Sequence, residues 1–172
     1  MSSAPVQHLT ASATQRPAYV SALEASYGAP SEAGFGSSVF FVPGPMDRDL
    51  EEVAKHYYQH FVGKQRWDPS AAERWLGQWR EVYRRTPGAT SPGICAELRT
   101  LDDREARMQG DLILNVGENP EAARKALEQA YDSSEVADLR MYMIGDGEAM
   151  SGMMLIGVRK SGEATVLIVL MD

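Results

Sequence analysis

The chain has 172 residues, 44% of them apolar and 24% charged, a size and balance that suit one globular domain with a real core. Its 17 Lys and Arg stand against 24 Asp and Glu for a formal net charge of -7, a field that repels a phosphate backbone and argues against a nucleic-acid partner. The single cysteine, Cys95, excludes an intramolecular disulfide and with it the disulfide-stapled secreted class.

Residues 1–15 are rich in Ser, Ala and Thr and carry no Lys, Arg or apolar run. They read as a flexible tail without the charged and apolar regions of a secretory signal. From Pro17, Val20, Leu23 and Tyr27 recur at helical spacing and Gly28 and Pro30 supply a stop, so a short helix is predicted there. Ser38–Val42 is a compact β-branched and aromatic run before Pro43, the mark of a strand.

A second helix begins near Asp47, with Asp49, Glu51 and Glu52 in its first turns and an apolar face of Leu50, Val53, Ala54, Tyr57 and Phe61. A third follows Asp68-Pro69, where Ser70 and Glu73 have capping-box spacing. Trp75, Leu76, Trp79, Val82 and Tyr83 fall on one stripe, and Arg80, Arg84 and Arg85 charge its C-terminal end. The period then changes from 3.6 to 2. Ile94, Ala96 and Leu98 alternate with polar positions, an acidic turn follows at Asp102-Asp103-Arg104-Glu105, and Leu112, Leu114 and Val116 alternate again, which predicts a hairpin.

Asn119-Pro120 is a cap followed by a first-turn proline, and Ala123, Ala126, Leu127, Ala130 and Tyr131 give the next helix its buried stripe. Three strands close the chain at Asp138–Ile144, Met150–Arg159 and Ala164–Met171, separated by turn residues at Gly145-Asp146-Gly147 and Ser161-Gly162. The last two are apolar on both faces, so each face needs a cover. Val166–Met171 is too short to span a bilayer, and a membrane partner is not expected.

The fold class expected is therefore α+β: a tail over 1–15 and one domain over 16–172, with a mainly antiparallel sheet of five to six strands under three to four helices. The order is α-β-α-α-β-β-α-β-β-β. Few residues suggest chemistry. Cys95 lacks an adjacent base, Gly34-Phe35-Gly36 lacks the preceding strand and third glycine of a phosphate loop, and Asp102, Asp103 and Glu105 lack calcium-loop spacing.

Two functional readings follow. The first is a non-enzymatic, acidic protein-binding module, such as a chaperone, adaptor or inhibitor-neutralising protein. It uses a methionine-rich sheet face of Met141, Met143, Met153 and Met154 to hold another protein or a second copy as a homodimer. The second is a small-molecule or hydrolytic pocket between a curved sheet and the aromatic helices. There Glu52, His56 and His60, spaced i, i+4, i+8, would act beside Tyr58 and Trp67. No metal, cofactor or catalytic set is expected, and the lone cysteine with no signal pattern makes a cytoplasmic location the expectation.

Overall fold

The runs with the strongest patterning form the expected elements in the computed structural model, which describes residues 16–63, 67, 69–85, 87–88 and 90–171. The expected tail over 1–15 lies outside the described residues. Helix α1 (Ala18–Tyr27) buries Val20, Leu23 and Tyr27, and strand β1 (Gly36–Val42) follows it. Helix α2 (Leu50–Val62) is capped by the Asp49 carboxylate, which accepts the Glu52 N–H. Its buried side includes Tyr58 in place of the expected Tyr57, which is half-buried.

The middle of the chain departs from its sequence reading. Helix α3 (Pro69–Leu76) stops at Leu76, and Arg80–Arg85 is strand β2 rather than the end of a helix. The 94–116 stretch is helical: α4 (Ile94–Arg99) and α5 (Arg104–Leu114) stand where a hairpin is predicted. The physical reason lies in which side chains are buried. Ile94, Glu97, Leu98 and Leu101 recur at i, i+3, i+4, i+7, and Ala106, Gly110, Ile113 and Leu114 at i, i+4, i+7, i+8, both helical stripes. The acidic turn is a helix start, since Asp103 accepts the Ala106 N–H at 3.0 Å.

Helix α6 (Pro120–Tyr131) is capped by Asn119, and strands β3 (Val136–Gly145), β4 (Ser151–Arg159) and β5 (Ala164–Met171) complete the chain. The fold is α+β, with six helices among the described residues and one five-stranded antiparallel sheet in the order β1-β5-β4-β3-β2. The alternating side chains of the central strands feed two separate cores. Met141, Met143, Met153, Leu155, Leu167 and Val169 face α1, α4, α5 and α6. Tyr142, Met154, Ile156, Val166, Ile168 and Leu170 face α2 and α3.

This double cover removes the methionine sheet face as a docking surface. Met141, Met153 and Met154 are fully buried and Met143 is 2% exposed, because the helices, rather than a partner, cover both faces. No described helix is long and apolar enough to cross a membrane.

Helices α4 and α5 touch at Gly110, where an added Cβ would sit 2.7 Å from the Leu98 carbonyl oxygen. Backbone cannot yield as a side chain does. Gly110→Ala is expected to lower stability by about 1–3 kcal/mol, measured as an earlier urea midpoint. A wild-type midpoint would mean that the two helices are not held in this contact.

Candidate functional site

The second expected site divides into four places. Tyr58 is fully buried; its hydroxyl donates to the Trp75 carbonyl at 2.8 Å and accepts the Gly145 N–H at 3.0 Å. Trp67 packs edge-on against the Tyr58 ring at 5.3 Å, so both belong to the core rather than to a pocket. Glu52 is exposed. His60 turns toward β1, edge-on to Phe40 at 5.6 Å and 3.9 Å from Glu32. His56 alone lines a cleft. Spacing of i, i+4, i+8 put the three polar groups on one side of α2, but the segments that approach its two ends differ. Among the described residues no three His, Cys, Asp or Glu side chains gather as metal ligands.

The most heavily charged buried cluster lies elsewhere, between β2, α4 and α6. Glu97 is 2% exposed, and Arg85 grips it with Nε at 3.0 Å and with Nη2. Arg85 also donates to the Tyr131 carbonyl and, at 3.2 Å, to Asp132, whose carboxylate accepts the Ile94 N–H at 2.8 Å. The Tyr83 hydroxyl completes the group by donating to Glu97. Burial pushes the Glu97 carboxyl up, but the hydrogen bonds from Arg85 and Tyr83 and the Arg85 charge outweigh it and hold the group below the usual carboxylate range. Burial and the Glu97 carboxylate push the Tyr83 phenol up to about 12.

Burial also pushes the Asp132 carboxyl up, helped by the Glu97 charge, and outweighs the Ile94 N–H and Arg85, which pull it down. One arginine bridges two carboxylates and a backbone carbonyl from different elements, which makes the cluster a clasp holding β2, α4 and the end of α6 together. Cys95, beside it on α4, is half-buried, and burial followed by the Glu128 charge keeps its thiol above the ordinary value. That is the opposite of an activated nucleophile.

An open surface forms where α5 meets the turn between β3 and β4. The turn is built by Asp146, whose carboxylate accepts the N–H groups of Glu148 at 2.8 Å and Met150 at 3.0 Å, with Gly147 at a φ of 78°. Gln109 on α5 donates to Ser151 at 3.1 Å, fastening the helix to the start of β4. Arg80 grips the cap residue Asp103 through two bonds of 2.8 and 3.1 Å and holds its carboxyl below the usual range. Between these elements lies a cleft of about 170 Å³, with Met143 and Met150 among its walls and Glu105 and Glu148 beside them.

On α5, which gives Glu105 to the cleft wall, Met108 and Leu112 are 62% and 50% exposed. They lie one turn apart on α5, on the stripe opposite its buried Ala106, Gly110, Ile113 and Leu114. Apart from Phe35, they are the large hydrophobics most exposed among the described residues. Sequence reasoning missed this stripe because it places Leu112 inside a strand. Helical spacing over 104–114 was the signal that could have found it.

A second cleft, of about 220 Å³, opens between α2 and the segment after β1. Asp47, Arg48 and His56 supply its polar groups, and Val42, Pro45 and Val53 are among its apolar ones. Comparison of the chain with protein-family models, with curated proteins and with solved structures finds no match to any of the three.

Proposed function

We propose that this protein is a non-enzymatic protein-binding module, of the adaptor, chaperone or inhibitor-neutralising kind, that docks a partner on the outward stripe of α5 and the adjoining methionine-walled cleft. The exposure of Met108 and Leu112, on the helix that gives Glu105 to that cleft, carries the reading. Two large apolar side chains one turn apart on a helix that also walls a concavity lined by the adaptable Met150 are the elements of a helix-centred contact. Glu105 and Glu148 at the cleft favour a partner segment that presents an apolar side chain flanked by basic ones. The reading keeps the chain in a reducing compartment such as the cytoplasm, where Cys95 remains a thiol.

The double substitution Met108→Asp, Leu112→Asp tests it. Both positions are exposed, so circular dichroism and the thermal midpoint should stay close to wild type. Wild-type protein purified by affinity from its own cell should bring down a defined polypeptide that the variant loses, and the reconstituted pair should weaken by about 30-fold or more, the size of a hot-spot loss. A polypeptide held equally by both proteins would remove this surface from the proposal. If the occupant is a second copy of the chain, sedimentation of the wild type alone gives a dimer mass that the variant loses.

A further inference from the structure

We infer that the cleft between α2 and residues 43–48 is a binding site for a free α-amino acid with an apolar side chain. The cleft is preformed. Gly44 lies so close to the β4–β5 turn that a Cβ there would stand 2.4 Å from the Gly162 carbonyl carbon and 2.5 Å from the Glu163 nitrogen. The Met46 N–H donates to the Gly162 carbonyl at 3.1 Å. The wall carrying Asp47 and Arg48 is thus pinned to the end of the sheet, and the opposite wall is α2, anchored in the core by Val53 at 3% exposure.

The polar groups have complementary signs and free capacity. Arg48 and His56 can take a carboxylate and Asp47 an ammonium, and among the described residues none of these three side chains is engaged in a hydrogen bond or ion pair. The remaining walls include Val42, Met46, Val53 and the Tyr57 ring, which meets His56 edge-on at 5.1 Å, a lining suited to an aliphatic side chain. A phosphate would meet the like charge of Asp47 and a bare metal ion that of Arg48, so a zwitterion with an apolar part fits better than either. The cavity of about 220 Å³ falls below the roughly 300–1,000 Å³ of pockets for drug-sized ligands, which sets the size of ligand at a single small molecule.

Histidine-ring NMR reads the site directly, because the chain has 3 histidines and His56→Gln assigns the signal that matters. L-leucine should move the His56 signal saturably at millimolar concentration while leaving that of His60 in place. Leucine methyl ester, which lacks the carboxylate, and 4-methylpentanoate, which lacks the ammonium, should each bind at least about 10-fold more weakly. Arg48→Met should weaken leucine by at least about 10-fold with the methyl region of the spectrum unchanged. No saturable movement, or equal response to all three compounds, overturns the inference, and the wild-type comparison stands even if the variant misfolds. The site lies apart from α5, so its failure leaves the partner-docking reading untouched, and failure of the α5 variant to lose a partner leaves this one untouched.

Discussion

Arg85→Met should destabilise the protein by about 3–5 kcal/mol, the usual result of stranding one member of a buried ion pair. The Arg85 side chain is 13% exposed and that of Glu97 1%, so water cannot replace what is lost. In the variant, Glu97 and Asp132 would be left together at the junction of β2, α4 and α6 without a cation between them. A second substitution should restore much of the loss: Arg85→Met with Glu97→Met removes both charges and leaves apolar groups of similar length. Equilibrium urea unfolding of the three proteins decides it. A single variant within about 1 kcal/mol of wild type would show that the clasp is weaker than its burial implies.

The same cluster makes a directional statement about pH. The folded Glu97 carboxyl lies below its unfolded value, so its contribution is complete above the ordinary Glu value of about 4.3 and is lost as pH falls through and below it. Glu97 should therefore make wild-type stability decline on acidification through that range, with Asp132, whose carboxyl is raised, offsetting part of the decline. Arg85→Met should flatten or reverse the trend, because an unpaired buried Glu97 is easier to keep when protonated. A parallel decline in both proteins would assign the acid sensitivity to other carboxylates.

Tyr58→Ala should cost about 3–5 kcal/mol, the range for removing a large buried aromatic side chain. The ring is fully buried among Trp67, Trp75 and Trp79, with centroids at 5.3, 6.4 and 5.8 Å. Trp79 in turn stacks on Tyr142 at 4.6 Å, so the cavity would open beneath a continuous aromatic stack. Tyr58→Phe separates the ring from its hydroxyl. It should cost about 1–3 kcal/mol by leaving the Gly145 N–H and the Trp75 carbonyl without their partner. The chain's tryptophans are all in this layer, so fluorescence reports the change while denaturant midpoints measure it. A neutral Tyr58→Phe would mean that the hydroxyl's two bonds are replaceable.

How far the sequence revealed this fold depended on the length of each pattern. Pro120–Tyr131 was legible because twelve residues carry a cap, a first-turn proline and one unbroken helical stripe. Ala164–Met171 was legible because β-branched residues fill both alternating positions. The six residues of α4 contain Ile94, Ala96 and Leu98, which satisfy period two, and Ile94, Glu97 and Leu98, which satisfy the helical period. Only the buried glutamate separates the two readings, and its burial depends on Arg85 from another element.

Trp79, Val82 and Tyr83 failed the other way: they continue the stripe of α3 on paper, yet Trp79 stacks on Tyr142 and the chain turns into β2 along β3. The methionines were correctly grouped on adjacent strands. Their exposure was misjudged because alternation shows that two faces are apolar but not what covers them. Met108 and Leu112 were hidden by the same hairpin reading that missed α5, and the His56 cleft depends on the Gly44–Gly162 contact, which joins distant parts of the chain.

The place of β5 in the sheet also bears on how the protein is made. It is the last of the described strands in chain order but the second in the sheet, seated between β1 and β4 and feeding both cores. Until residues 164–171 have left the ribosome, β1 has no neighbour and neither helical layer has a complete floor. Closure of the sheet must wait for this strand, as expected for a topology dominated by distant pairings. A chain cut short before Ala164 should therefore be digested faster by proteases than one that carries β5.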